Sequence, residues 1–296
     1  MSVGVWLYGC GCGMDRRSSE LLGVAAALTA ALLWSTIGVV QRLAEARGAD
    51  TETLIVGRTL GGSLLALALL AIYRAVPTRR SFAVAVLGLA PLYYTYMMSV
   101  SIVGAAVASL LLYTAPAWVA LLGTVFLGET PSVRDVVTII LGLAGAALVS
   151  LGGEGKAGEL RLLGIVLGVA SGFFYALYIV MARFFQSRGA GVMEVSLAPI
   201  ALTGPLLGVA LKPSLPPNSV EVAASIYFAV FTMVTPYLLN VYALRRIEAH
   251  RVSVMSLIEP LSAVLLAVLL LGEDLTALQA LGGVLILAAA LGASFK

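Results

Sequence analysis

Two stretches decide how this chain folds: LLLYTAPAWVALLGTVFLGET at 110–130 and VMSLIEPLSAVLLAVLLLGED at 254–274. Each is apolar almost throughout, carries a proline near its start, and closes on Gly-Glu. Pro116 falls on Pro260 and Gly128-Glu129 falls on Gly272-Glu273, both at an offset of 144 residues. The same offset sets Tyr93 on Tyr237 and Tyr96 on Asn240, while an offset of 141 sets Gly23 on Gly164 and Trp34 on Tyr175. About 20 apolar residues of helix span a hydrocarbon core of ~30 Å. A membrane helix that recurs with its punctuation intact is the mark of an internal repeat.

Working outward, apolar runs bounded by charges, prolines or glycine turns predict ten membrane helices, at 21–41, 53–73, 82–101, 105–127, 133–151, 161–182, 194–211, 222–244, 251–271 and 275–295. The runs are continuously apolar, whereas a transmembrane strand alternates over roughly 10 residues. The fold expected is therefore all-α and integral to the membrane, with ten transmembrane helices in two five-helix repeats. The repeats occupy 21–151 and 161–296, joined by a linker loop at 152–160. Each holds an odd number of helices, so the two run in opposite directions across the bilayer, an inverted-topology arrangement typical of secondary transporters. Gly104 is the expected turn between the third and fourth helices. Thr130 reads as an N-cap with Pro131 behind it. The seventh helix is the weakest, interrupted by Pro199 and Pro205.

Composition agrees. Of 296 residues, 60% are hydrophobic and 11% charged, and mean hydropathy is +1.03. Soluble domains run at roughly 45–50% apolar and ~25% charged, so a soluble enzyme is excluded. Collagen, a coiled coil, a disordered chain and a disulfide scaffold are excluded with it. The net charge of +3 gives no reason to expect nucleic acid as a partner. Cys10 and Cys12, the only cysteines, are too close for a disulfide framework and lie in residues 1–20, an N-terminal stub expected to be disordered, with Met14 as an alternative start.

Lysine and arginine in short loops set orientation. Twelve (Arg16, Arg17, Arg74, Arg79, Arg80, Arg134, Arg183, Arg188, Arg245, Arg246, Arg251 and Lys296) fall on the side of the N-terminus, against five on the other. This predicts a multi-pass protein of the plasma membrane with both termini in the cytoplasm.

On the two halves of ~140 residues, the fourth-helix proline with its terminal Gly-Glu, and the WSTIG segment at 34–38, the chain resembles EamA-type permeases of the drug/metabolite transporter superfamily. The resemblance covers about residues 20–295. It implies export or exchange of a solute through a central cavity and leaves the solute open.

Polar residues at membrane depth are costly and usually functional. Glu259 is the clearest, eight residues into its helix beside Pro260. A carboxyl there is either neutral or paired, which suits proton coupling or binding of an amine-bearing solute; the bland alternative is a hydrogen bond to a carbonyl freed by a proline. Arg58 is the other intramembrane charge, expected ~7–8 Å below the outer surface by helical rise and free to snorkel. Buried phenols need partners. Tyr96, Tyr237, Tyr175, Tyr178 and Tyr113, together with Asn240 and Trp34, are therefore candidates for an aromatic, hydrogen-bonding binding site. Glycines at Gly57/Gly61, Gly164/Gly168/Gly172 and Gly204/Gly208 read as packing faces. Pro91, Pro116, Pro199, Pro205, Pro236 and Pro260 remove backbone hydrogen bonds and free carbonyls.

Other motifs carry nothing. The G-x-G-x-x-G at 153–158 follows no strand, and as a P-loop it has Ser150 and Ala157 at the required positions. His250 is expected to be solvated or interfacial. Neither a metal nor a cofactor is expected. The reading is a secondary active transporter, not an enzyme. Its partners are a small organic solute (amino acid, amine or aromatic), the lipid bilayer, and a proton or exchanged solute. Transport is expected to be export by alternating access. An organic-phosphate or nucleotide-sugar exchanger would need more cavity cations than Arg58, and an intramembrane enzyme more clustered polar groups. The oligomeric state is left open.

Overall fold

The computed structural model describes residues 16–103, 105–151, 162–208, 217–272 and 274–294. Gly104, most of the stub, the 152–160 linker with its glycine motif, Lys156, Arg161, Lys212, Glu273 and Lys296 lie outside the described residues. Every described element is helical. In chain order they are α1 Arg16–Glu45, α2 Thr51–Ile72, α3 Arg79–Val84, a π turn Ala85–Leu89, α4 Ala90–Val103, α5 Ala105–Leu112, α6 Ala115–Leu127, α7 Val133–Leu151 and α8 Leu162–Ser187. There follow α9 Val192–Val195, α10 Leu197–Gly208, α11 Ser219–Tyr227, a second π turn Phe228–Val234, α12 Thr235–Leu244, α13 Ala249–Ser256, α14 Ile258–Leu271 and α15 Ala277–Ser294.

Eight apolar helical segments are long enough to cross a bilayer, and the shorter Val192–Leu207 and Ala277–Ala293 complete the ten expected from the sequence. The first begins at Arg16, five residues before the predicted 21, so it takes in the end of the stub. Outward-facing leucines, valines and isoleucines such as Leu64, Val125, Ile140 and Leu269 are exposed. In water they would be a liability; against acyl chains they are the expected surface.

The irregularities have one cause. Proline lacks an N–H and its ring clashes with the carbonyl four residues back. Helix α5 ends at Leu112, α9 at Val195 and α13 at Ser256. These are the residues four before Pro116, Pro199 and Pro260. The two π turns end at Leu89 and Val234, each two residues before a proline, Pro91 and Pro236. The breaks in the fourth helix of each repeat, at Tyr113-Thr114 and at Leu257, coincide under the 144-residue offset, and the first π turn maps inside the second. Pro205, by contrast, stays inside α10.

Helix ends are capped locally. Thr78 with Ser81, and Asn218 with Glu221, form capping boxes at the equivalent third helices of the two repeats. Thr130 does not cap α7. Ser132 does, accepting from Asp135 N–H at 3.3 Å while Asp135 Oδ2 accepts from Ser132 N–H at 2.8 Å. The reciprocal Ser/Asp spacing outcompetes a threonine placed before Pro131. Gly128 and Gly272 follow α6 and α14 with φ of 66° and 71°, a left-handed turn that glycine enters without steric cost.

Two compact units form. One holds residues up to Val86 and Met181–Ile247; the other holds Leu87–Val180 and the residues from Glu248 onward. In the first, α1 packs along α12, and α2 along α10 and the second π turn. Ser63 of α2 inserts into α10, donating to Ile200 C=O at 2.8 Å and accepting from Gly204 N–H at 3.0 Å, so one hydroxyl replaces a broken rung of the helix. Glu221, 4% exposed, ties the loop before α2 to the start of α11 by accepting from Asp50 N–H and Asn218 N–H, each at 2.7 Å. In the second unit α7 crosses α15 with Gly145 against Gly282 and Gly142 against Leu257, while Gly164, Gly168 and Gly172 of α8 pack on Ile102, Leu111 and Thr114. The glycine faces are packing surfaces, as expected without a hydrophobic drive between helices in lipid.

A methyl at Gly145 would stand 2.7 Å from Gly282 C=O, a backbone atom that cannot swing aside, whereas one at Gly38 meets nothing within 4 Å. Gly145→Ala should therefore destabilise by about 1–3 kcal/mol. Gly38→Ala should be neutral or slightly stabilising. Thermal unfolding of the two variants in detergent, side by side, checks the contrast.

Candidate functional site

The nine site residues proposed from sequence fall into two groups, one in each compact unit. In the second unit Glu259, Tyr113, Tyr96 and Tyr175 stand within electrostatic reach of one another, with Tyr93 beside Tyr175. The two proline breaks position this group. Tyr113 sits in the gap between α5 and α6, and Glu259 in the first turn of α14. A carboxylate at a helix N-terminus faces unsatisfied backbone N–H groups and the positive end of the helix dipole. Such half-helix ends at membrane depth are where transporters hold charged ligands.

Around the carboxylate, Tyr96 Oη shares a hydrogen bond of 2.9 Å with Ser109 Oγ. Tyr175 bonds the Ser256 side chain and stacks on Tyr178 with ring centroids 6.4 Å apart and planes 5° from parallel. Tyr178 is wholly buried. Its backbone lies against the first π turn at Gly88, where an added Cβ would come within 3.2 Å of Tyr178 Cα. Tyr113 and Tyr175 thus lie near the Glu259 carboxylate, with Tyr96 beside Tyr113 and Tyr178 stacked on Tyr175.

In the first unit Trp34, Arg58, Tyr237 and Asn240 gather on α1, α2 and α12. Trp34 and Tyr237 meet edge to face, centroids 5.4 Å apart. Trp34 Nε1–H donates to Thr232 C=O at 3.1 Å, and an Arg58 amino group donates to the same carbonyl at 3.2 Å. Thr232 lies in the π turn, whose altered ladder leaves its carbonyl open to side chains. Arg58 thus has a partner at depth and is not left to snorkel. Asn240 is 0% exposed, and neither of its side-chain amide atoms has a hydrogen-bond partner among the described residues. A native structure seldom leaves a buried amide so.

The two groups are related by the repeat. Trp34 and Tyr237 correspond to Tyr175 and Tyr93, which also lie together. Each unit therefore pairs an aromatic from the first helix of one repeat with a tyrosine from the third helix of the other. Sequence reading missed Thr232, whose only signal was Pro236 four residues on. It missed Ser109 also, which nothing in the sequence marks. It misjudged His250, which is 6% exposed and buried against Glu129 and Asp135, not solvated.

The membrane-length helices, the repeated breaks and the polar groups at depth define a multi-pass transporter of the two-repeat kind. The EamA-like transporter family matches residues 21–151 and 162–295, and the chain belongs to that family. It is 29% identical over 278 residues to an uncharacterized transporter of Archaeoglobus fulgidus, covering 91% of this chain and 95% of that one. A Synechocystis transporter is 28% identical over 190 residues, 62% of this chain and 57% of its own length. A solved crystal structure covering 94% of this chain and 99% of its own superposes with a TM-score of 0.78 at 22% identity, and shares the fold.

Trp34→Phe keeps the ring against Tyr237 and removes one donor from Thr232 C=O. Stability should fall by about 0.5–1.5 kcal/mol, read as a lower unfolding temperature in detergent. Arg58→Met combined with it should cost more than the sum of the two, because the carbonyl is then stripped of both side-chain donors.

Proposed function

We propose that the protein is a secondary active transporter, not an enzyme, that moves a small organic solute by alternating access, with the Glu259 cluster as its binding and coupling site. One observation carries the reading. The two broken fourth helices bring Glu259, in the first turn of α14, near Tyr113 and Tyr175, with Tyr96 beside Tyr113 and Tyr178 beside Tyr175. A carboxylate with phenols near it suits a solute with an amino group and an apolar or aromatic body, because cation and ring find complementary surfaces together.

The two repeats run oppositely across the plasma membrane, and both termini face the cytoplasm, where the arginine-rich ends lie. Export is the working direction. A carboxylate that takes either a proton or an ammonium group cannot hold both, which is the simplest form of exchange coupling.

Reconstituted in proteoliposomes and offered a panel of amino acids, polyamines and aromatic amines under an imposed pH gradient, the wild-type chain should transport at least one of them. Glu259→Gln should abolish the response to the gradient. Glu259→Asp should retain part of it. Transport by Glu259→Gln with unchanged pH dependence would remove Glu259 from the coupling role.

A further inference from the structure

His250, the only histidine of the chain, opens a polar file that leads into the site above. Along α13 and into α14, polar side chains recur at every third position: His250, Ser253, Ser256, Glu259. The first three are 6%, 2% and 5% exposed. Ser256 bonds Tyr175, which lies beside Glu259. At 1.5 Å per residue the file spans about 13 Å of helix axis, from the arginine-rich end of the chain to the carboxylate.

The outer end is built for a proton. His250 Nε2 lies 3.3 Å from Asp135 Oδ1, and Nδ1 lies 4.0 Å from Glu129 Oε2. Both carboxylates are held in place. Ala249 N–H donates to Glu129 Oε2 at 2.9 Å, and Ser132 N–H and Oγ–H donate to Asp135 Oδ2 at 2.8 and 2.7 Å. The helices packed on α13 add little else. Glu248 and Arg251 of α13 pair with each other at 3.1 Å, and Arg251 Nε–H donates to Ala293 C=O at 2.6 Å. α7 adds Arg134, and the described parts of α6 and α15 carry no titratable side chain. Both ring nitrogens therefore face anions, and the hydroxyls of Ser253 and Ser256 follow on the same helix.

We propose that His250 is the proton-loading residue of the transporter, passing protons through Ser253 and Ser256 to Glu259. The proposal rests on the coupling role given to Glu259 above. The imidazolium releases one proton into the file. Each hydroxyl accepts one and passes one on, Glu259 carboxylate gains it, and neutral imidazole takes a new proton from water by way of the more exposed Asp135 carboxylate. In the resting arrangement both serine hydroxyls donate to their own helix, Ser253 to His250 C=O at 2.7 Å and Ser256 to Val252 C=O at 3.2 Å. Relay requires each to rotate off its carbonyl, a motion a hydroxyl makes freely. Glu129 and Asp135 act as positioning residues, holding the ring and balancing its charge.

The test follows the Glu259 carboxyl directly, so no solute is needed. After a pH jump on the reconstituted protein, the carbonyl stretch of protonated Glu259, identified by its loss in Glu259→Gln, is recorded by time-resolved infrared spectroscopy. His250→Ala should slow its appearance at least ~10-fold, within the range a positioned proton donor supplies. Added imidazole should restore the rate, which it would not do for a merely structural defect. Ser253→Ala with Ser256→Ala should slow it without imidazole rescue. An unchanged rate in His250→Ala, or a slowed rate that imidazole leaves alone, overturns the relay. A Glu259 band that never responds to pH overturns the coupling role of Glu259 instead, so the two failures are told apart.

Discussion

In hydrocarbon a peptide group has only the protein to bond with. Every N–H and C=O at membrane depth must find a partner within the chain, and this one demand shapes both the regular and the irregular parts of the molecule. Ten apolar stretches become helices because the helix answers it internally. Where a proline removes a donor, the helix must stop, widen into a π turn, or recruit a side chain. All three occur here: the stops at Leu112, Val195 and Ser256, the π turns before Pro91 and Pro236, and the donors of Trp34 and Arg58 on Thr232 C=O, four residues before Pro236.

The polar chemistry of the protein grows out of those repairs. Thr232 C=O, displaced by a π turn, collects Trp34 and Arg58. The gap between α5 and α6 presents Tyr113, and the restart of α14 presents Glu259 at its positive end. The same breaks occur in both repeats, yet only one carries an acid, since Ala115 stands where Glu259 has its counterpart. The backbone framework is shared and the charge is not.

Much of the fold was legible in the sequence because its signals are one-dimensional. Apolar run length counts helices, and the Pro–Gly-Glu interval of 110–130 and 254–274 gives the repeat. Even the irregularities were latent in the prolines, although that three helices end four residues before one emerged only with the helix boundaries in view. The candidate site was half legible. Glu259 and its tyrosines announced themselves by being polar where lipid forbids it, but their division into two groups depends on which helices pack, and apolar faces of similar composition carry no address. Thr232 and Ser109 were invisible for a plainer reason: a backbone carbonyl has no letter in the sequence, and a lone serine at depth can bond its own helix. His250 was misread because its carboxylate partners lie more than 100 residues away, at Glu129 and Asp135.

The packing of α1 on α12, α2 on α10 and α7 on α15 joins segments from opposite ends of the polypeptide. During synthesis the first five helices enter the bilayer before their mates exist. Loop closure over such separations is slow, and exposed faces in the interim invite wrong pairing. The Gly145 face has to wait for Gly282, and the Gly57 and Gly61 face for Ser225 of α11 and Ala229 of the second π turn. The glycine seams therefore serve assembly as well as stability. Each seam holds its partner too closely to take an added methyl without a shift, so the nascent half is cut to the shape of its own sibling.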